Sequence, residues 1–442
     1  MRIHHLTLVI SCGVLASCKV PGPLRPTSES PSIVRRKVSI SGGIVEPGET
    51  LSFTQAALLA LRHSPRLRSF DAAKREADGN ILQASLKPNP TLDTQIENIL
   101  GSGPNRGFDA AESTLAISQL IERGGKREAR QAVKEADKAV VISAYEITRR
   151  EIFTEVGQAY AQALAAQEKA TLYGDLVKLN ESFLPEIDKR IEAGKVTAVE
   201  KVRAKTAVST ARLAQQQAQR EFHTACLRIA GTWGSTNVTF KSLVGKLGDP
   251  TTSAGRSALE TRLLSHPEYR KETKEMEKAE AEHRLALTKG VSDVTIQGGV
   301  RHFSENDGDV AVVVGFSIPL PLNDKNQGEI AATAAGVEVA RKERSAALNG
   351  LQVKLGSSLK ELEDTRKEIE TIKAELLPGA QEAFDGVQDG YSKGRFGYLD
   401  LIEARRSLTE AKVQLLDASA AYQQSVAEIS GLTASMPGES SK

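Results

Sequence analysis

The segment from Asp389 to Leu408 reads Asp-Gly-Tyr-Ser-Lys-Gly-Arg-Phe-Gly-Tyr-Leu-Asp-Leu-Ile-Glu-Ala-Arg-Arg-Ser-Leu. Long amphipathic patterns lead into this segment and continue after it. Glycine readily adopts the backbone angles of a tight reversal, so Gly394 and Gly397 predict a turn between two antiparallel helices. The rest of the chain is organised around this hairpin.

A second segment, Glu192–Ala204, has the same layout. Gly194 takes the place of Gly394 and Glu200 takes the place of Asp400, so a carboxylate follows six residues after each turn glycine. The sequence therefore predicts two helical hairpins with related tips.

The elements that precede each hairpin also repeat, at a spacing of about 200 residues, which indicates an internal duplication. Proline disfavours helix in the residue before it, and alternating apolar residues predict strands. The first unit is predicted to contain a helix at Leu51–Leu86 broken before Pro65, strands at Thr91–Leu100 and Glu112–Leu120, a helix at Lys126–Ile191 kinked at Pro185, and a helix at Thr197–Ala230. The second unit is predicted to contain a helix at Ser257–Leu287 broken near Pro267, strands at Asp293–His302 and Val310–Leu320, a helix at Gly328–Tyr391 that carries Pro378, and a helix at Leu399–Leu432.

The N-terminus has the pattern of an export signal. Residues 1–17 combine Arg2 with an apolar run from Leu6 to Leu15 that is too short to cross a bilayer, which predicts a signal peptide. Small residues before Cys18 predict a lipoprotein cleavage site at which Cys18 is acylated, and ordinary signal cleavage nearby is the alternative. A proline-rich tether at 18–50, a first unit at 51–245, a linker at 246–256, a second unit at 257–432 and a tail at 433–442 complete the predicted division.

Composition and motifs argue against several classes of function. A net charge of +2 gives no electrostatic reason to bind nucleic acid. The stretch Gly124-Gly125-Lys126-Arg127 lacks the first glycine and the Ser or Thr of a phosphate-binding loop. Neither His63 nor His266 has a metal-binding partner three or four residues further on. His302 with Glu305, Asp307 and Asp309 could contact a cation at the outer loop, but a solvated hairpin tip is the favoured interpretation. The sequence therefore predicts no enzyme activity, no cofactor and no metal site.

The predicted helices have matched lengths. At 1.5 Å per residue, Lys126–Ile191 and Gly328–Tyr391 each span roughly 100 Å, and the shorter helices reach a similar length when stacked in pairs. Aromatic residues make up only 4% of the chain, which is typical of long helices packed through small side chains. Four strands cannot close a membrane barrel, since closure takes at least about eight, so several copies must pool their strands.

Tyr391, Gly394, Leu399, Asp400 and the segment 403–405 resemble the hairpin tip of the TolC-type outer-membrane factor family. Two further stretches, Ser118–Arg130 and Val314–Ile330, resemble the cobalt-zinc-cadmium efflux branch of that family.

This resemblance implies a mainly α fold with a small membrane β-barrel portion. It further implies a homotrimer with a long helical barrel and a shared barrel of twelve strands, four from each protomer. The implied partners are a periplasmic adaptor (membrane fusion) protein, an inner-membrane RND-type transporter and outer-membrane lipid.

The carboxylates beside the turns are the candidate gate residues. Oligomerisation would set Glu200, Asp400 and Glu403 as rings around a central axis, where carboxylates favour cations and repel one another. Alternatively, Glu200 and Asp400 lie in the first turn of the returning helix, where the helix dipole stabilises them. The resemblance implies that pairs at the tips hold the duct closed, and the candidate pairing residues are Arg203, Tyr391 and Arg405.

The turn residues are candidate contacts for the adaptor. Family members meet the adaptor at this position, which is occupied here by Gly194, Lys195, Gly394 and Arg395. A plain loop would also need glycine, so both interpretations stay open.

Two functions fit the sequence. The first is a passive outer-membrane exit duct of a three-part efflux system, for which the resemblance indicates divalent heavy-metal cations as cargo. The second is a lipid-anchored periplasmic scaffold or adaptor without a membrane-spanning barrel. The scaffold would explain the helices and Cys18, but it leaves the amphipathic strands without a purpose.

Overall fold

The computed structural model describes residues 46–248, 255–305 and 308–433. The predicted signal peptide, Cys18, the tether up to residue 45 and the tail from residue 434 lie outside the described residues.

The first unit begins with a short strand and two helices, continues with a pair of strands and a helical hairpin, and ends in a second short strand. Its elements are β1 (Thr50–Leu51), α1 (Phe53–His63), α2 (Pro65–Ser85), β2 (Thr91–Glu97), β3 (Glu112–Ile121), α3 (Lys126–Ser182), α4 (Leu184–Glu192), α5 (Ala198–Thr232) and β4 (Ser242–Leu243).

The second unit repeats this order without the two short strands. Its elements are α6 (Arg256–Leu263), α7 (Pro267–Lys289), β5 (Val294–Phe303), β6 (Val310–Ser317), α8 (Gln327–Thr371), α9 (Leu377–Ser392) and α10 (Tyr398–Thr433). A short π-helical stretch at Ile372–Leu376 joins α8 to α9 just before Pro378.

Proline sets the helix breaks as predicted. Helices α2 and α7 begin at Pro65 and Pro267, because a first-turn residue needs no N–H for the helical hydrogen-bond ladder. Helix α3 ends at Ser182, just before the segment that contains Pro185.

The prediction of helix at Leu51 was wrong. Ser52 and Gln55 form a capping box, in which Gln55 N donates to Ser52 Oγ at 3.3 Å and Ser52 N donates to Gln55 Oε1 at 3.0 Å. The helix therefore starts after Ser52. Leu51 lies instead in β1, which pairs in parallel with β4.

The four longer strands form one antiparallel sheet in the order β2-β3-β5-β6. The central pair β3·β5 joins the two units, with Thr114 opposite Arg301. Among the described residues, β2 and β6 each have one neighbouring strand, so both edges of the sheet keep unpaired backbone groups.

Helix α3 lies at the centre of the helical portion and packs against α2, α5, α7 and α10. Small residues allow a close approach to α10. A Cβ added at Gly157 would lie 2.7 Å from the Cβ of Ala427, and one added at Gly431 would lie 2.0 Å from Oγ1 of Thr154. No helix in the described part of the chain is both long enough and apolar enough to cross a membrane.

Candidate gate at the tips of the helical hairpins

The two hairpin turns have the same backbone geometry. Gly194 and Gly394 adopt left-handed φ angles of 67° and 74°. The residue after each glycine donates its backbone N–H five residues back, from Lys195 to Arg190 at 2.9 Å and from Arg395 to Gly390 at 2.8 Å. This glycine-dependent helix ending explains why the two tip sequences are alike. Lys195 and Arg395 are exposed.

An aromatic cluster packs the two hairpins against each other just above the turns. Tyr391 lies 5.9 Å from Tyr398 and 6.3 Å from Phe183, measured between ring centroids. Ile187 and Leu401 are fully buried beside them. The tips of the two units therefore share one small core.

Arg190 links the hairpins at the edge of this core. Its Nη2 atom donates to the carbonyl oxygen of Tyr391 at 3.0 Å, and its guanidinium carbon lies 4.2 Å from the centre of the Tyr391 ring. The same nitrogen lies 2.8 Å from Oε1 of Glu186 on its own helix. The carboxylate therefore orients the guanidinium toward the second hairpin.

Glu200 lies at the boundary of the aromatic cluster. Its Oε2 atom is buried and has no hydrogen-bond partner among the described residues, and the same is true of the hydroxyl groups of Tyr391 and Tyr398. Burial raises the pKa of both tyrosines, and the negative charge of Glu200 contributes to the increase. Among the described residues, three buried polar groups without hydrogen-bond partners thus lie at the tip.

Asp400 caps its own helix. Its Oδ2 atom accepts a hydrogen bond of 2.8 Å from Gly397 N, immediately before α10 begins. Asp400 lies in the first turn of α10, where the alternative to a charged ring placed it, and its hydrogen bond to Gly397 N is an additional local contact. Asp400 and Glu403 are both exposed, so their charges are also available at the surface of the protomer.

The expected pairing of Arg405 with a tip carboxylate is absent from the described part of the protomer. Arg405 is 4% exposed, and its Nη1 atom donates to Oδ1 of Asn180 near the end of α3. Its guanidinium carbon lies 4.5 Å from the centre of the Phe183 ring, and burial lowers its pKa. The packing of α10 on α3 buries Arg405, whereas the carboxylates lie on the exposed side.

Arg203 is exposed on α5. It lines a groove of about 580 Å³ between α3, α5 and α10. The exposed apolar side chains of Val199, Val202 and Leu399 also line the groove. Asn180 and the buried Arg405 line the same groove, so Arg203 and Arg405 border one groove, whereas Tyr391 lies in the aromatic cluster.

Sequence reasoning missed Asn180, Phe183 and Arg190. None of them belongs to either turn motif, and their partners lie about 200 residues away in the second unit. No cluster of His, Cys, Asp and Glu suited to a metal ion occurs in residues 46–248, 255–305 and 308–433.

The family model described as outer membrane efflux protein matches residues 57–235 and 263–435. The chain belongs to this family. The matched ranges contain both hairpin tips and all four strands of the larger sheet, so the family assignment rests on most of the chain. The expected resemblance to TolC-type outer-membrane factors is confirmed.

Two curated relatives confirm the resemblance to the heavy-metal branch of the outer membrane efflux proteins. The cobalt-zinc-cadmium resistance protein CzcC of Cupriavidus metallidurans is 27% identical over 351 residues, covering 79% of this chain and 82% of the relative. The nickel-cobalt-cadmium resistance protein NccC of Alcaligenes xylosoxydans xylosoxydans is 24% identical over 342 residues, covering 74% and 77%.

A solved structure of a membrane protein from Pseudomonas aeruginosa shares the fold. The TM-score is 0.71 at 18% identity, with 86% of this chain and 90% of that chain covered. The predicted combination of long helices with a smaller β portion is therefore confirmed.

Proposed function

We propose that three copies of the chain form a passive duct through the outer membrane, which exports divalent heavy-metal cations. The observation that carries this proposal is the four-stranded sheet with two open edges. A spanning sheet must close, and closure takes at least about eight strands, so β6 of one copy would pair with β2 of the next.

The two faces of the sheet suit a membrane barrel. One face carries exposed apolar side chains on every strand: Leu92, Ile96, Leu115, Ile117, Ile296, Val300, Val312, Val314 and Phe316. The other face carries polar side chains, including Asp93, Gln95 and Arg301. In a closed barrel the apolar face would contact lipid and the polar face would line a pore. A periplasmic scaffold would instead leave the apolar face in water.

The names of the relatives support divalent heavy-metal cations as the cargo. CzcC and NccC are named for resistance to cobalt, zinc, cadmium and nickel. The exposed carboxylates of Asp400 and Glu403 would form rings in a trimer, and such rings favour cations.

The tips would act as the gate and as the docking site. The contact of Arg190 with Tyr391 and the shared aromatic core support a closed arrangement in which the hairpins are held together. Opening would separate them and bring Glu200 into water. The exposed turns, with Gly194, Lys195, Gly394 and Arg395, would meet the periplasmic adaptor, which connects the duct to an RND-type inner-membrane transporter.

The proposal also includes a lipid anchor at the N-terminus. Acylation at Cys18 after removal of residues 1–17 would attach the N-terminus to the outer membrane, with the helices in the periplasm.

Two measurements test the proposal. Deletion of the gene in its native host should lower tolerance of cobalt, zinc and cadmium while tolerance of an organic dye stays unchanged. Complementation with the intact gene is the control. Light scattering of the detergent-extracted protein should give the mass of three chains. A monomer that stays soluble without detergent after Cys18→Ala substitution would overturn the duct and favour the scaffold.

A further inference from the structure

Arg301 lies in a polar cluster at the end of the sheet farthest from the helices. Its Nε atom donates to Oγ1 of Thr114 at 2.8 Å, and its Nη1 atom donates to Oε2 of Glu112 at 2.9 Å. Its Nη2 atom lies 3.3 Å from Oε2 of Glu97. Asn98, in a left-handed conformation at the start of the loop, donates to the other oxygen of Glu112 at 3.0 Å. One guanidinium thus holds two carboxylates from two strands.

We propose that this cluster of Arg301, Glu97 and Glu112 is a cation-selecting ring at the outer mouth of the duct. The inference rests on the proposed function, because the ring exists only when three copies close a barrel. It concerns a site different from the helical tips.

The register of the sheet places the cluster on the polar face. Glu97 pairs with Glu112, and Thr114 pairs with Arg301, so the side chains of these residues lie on the same side. Their neighbours in the strands, Ile96 and Val300, lie on the exposed apolar side. Since the apolar side would contact lipid, the cluster would point into the pore.

The charges on this face are unbalanced. In the four described strands the polar face carries Asp93, Glu97 and Glu112 against one guanidinium, that of Arg301. Within the cluster itself, two carboxylates share one positive charge. Each protomer therefore contributes a net negative charge to the mouth, and three protomers would form a ring that attracts cations and repels anions.

Arg301 also fixes the position of the ring. Glu97 and Glu112 are directly opposite on adjacent strands, where like charges destabilise a sheet. The positive charge of the guanidinium offsets this repulsion. Its contacts keep both carboxylates at the same level along the axis of the pore. Thr114 is 6% exposed, and its hydroxyl oxygen accepts a hydrogen bond from the guanidinium. Arg301 is accordingly a positioning residue, and the carboxylates are the groups that permeating ions would meet.

Reversal potentials in planar bilayers under a potassium chloride gradient test the inference. The wild-type protein should be cation-selective. The Glu97→Gln/Glu112→Gln variant keeps the shape of both side chains, and its cation-to-anion permeability ratio should fall by about two- to five-fold, because ionic screening limits the effect of each charge. Arg301→Gln should raise the ratio, since it leaves the carboxylates uncompensated. The matched control Ser113→Ala, on the opposite face of β3, should keep the wild-type ratio.

The outcomes separate this inference from the proposed function. Wild-type protein that forms no conducting channel would overturn the duct itself. Channels of normal conductance whose permeability ratio is the same in the wild type and in both charge variants would overturn the ring and leave the duct standing. If the double variant does not insert, the single Glu97→Gln variant provides the same readout, because Glu97 makes the longer contact of 3.3 Å.

Discussion

Arg190 holds Tyr391 through two different groups, although the residues are 201 positions apart. A hydrogen bond reaches the Tyr391 carbonyl oxygen at 3.0 Å, and the guanidinium carbon lies 4.2 Å from the ring centre. Arg190 lies near the end of α4, which leads into the turn of the first hairpin. Tyr391 lies near the end of α9, which leads into the turn of the second hairpin. This contact therefore couples the two tips directly, and together its parts contribute on the order of 1–3 kcal/mol.

Removal of the Arg190 guanidinium should ease opening. Arg190→Met keeps most of the aliphatic volume but loses both contacts with Tyr391, so we expect larger mean single-channel conductance in planar bilayers. The control is Arg406→Met, because Arg406 is exposed and its one ion pair with the described residues is to Glu410 on its own helix. Equal conductance of wild type and Arg190→Met would contradict the coupling.

Local patterns predicted most of the fold. Apolar periodicity located the long helices and strands, and the glycine turns located the tips, because each signal lies within a few residues. The β1·β4 pairing has no such signal, since Thr50 and Ser242 meet only when the chain is folded. The first-turn position of Asp400 was predicted as an alternative because it depends only on where the turn ends, whereas its hydrogen bond with Gly397 N was not predicted.

The environment of Arg405 could not be predicted in the same way. A position on α10 becomes buried or exposed according to how α10 packs on α3, and the sequence of α10 does not specify that packing. The pairing of Arg405 with Asn180 depends on contacts across 225 residues. The charged rings of Glu200, Asp400 and Glu403 stay a prediction, because they require a trimer.

Asn180 should stabilise the buried Arg405. In Asn180→Ala the Arg405 Nη1 atom loses its bond, and a buried cation without that partner should lower the free energy of unfolding by about 1–3 kcal/mol. In Asn180→Asp a carboxylate pairs with the guanidinium, but the amide N–H that donates to the Ala207 carbonyl oxygen at 3.3 Å is lost, so the loss of stability should be smaller than in Asn180→Ala. Urea unfolding in detergent, monitored by circular dichroism, measures the free energy of unfolding of both variants. A loss of stability in Asn180→Asp equal to that in Asn180→Ala would show that Asn180 acts through packing alone.

Two neighbouring glycines in β5 provide a matched test of the sheet. A Cβ at Gly299 would lie 2.3 Å from the carbonyl oxygen of Leu115 and 2.6 Å from the Cβ of Ala116, whereas a Cβ at Gly298 would meet nothing within 4 Å. Gly299→Ala should therefore separate β3 from β5 and reduce the amount of assembled protein in the outer-membrane fraction. Gly298→Ala should assemble normally. Equal assembly of the two variants would contradict the close approach of β3 and β5.

Two substitutions of Asp400 distinguish the effect of its hydrogen bond to Gly397 N from the effect of its negative charge. Asp400→Asn keeps an oxygen that can accept from Gly397 N at the present 2.8 Å but removes the charge, whereas Asp400→Ala removes both. If a carboxylate ring selects cations at the tips, both variants should reduce the cation-to-anion permeability ratio in bilayers. Asp400→Ala should also destabilise the start of α10 by about 1 kcal/mol, more than Asp400→Asn, which loses only the interaction of the charge with the helix dipole.

Glu403 allows the effect of a tip charge to be compared with that of Asp400. It is exposed on the same helix, so Glu403→Gln tests the charge in a residue whose role at the helix start is different. A lower permeability ratio in Asp400→Asn and in Glu403→Gln would support rings of charge in the assembled duct. A wild-type ratio in both variants, together with lower stability in Asp400→Ala, would reduce the role of Asp400 to its helix cap.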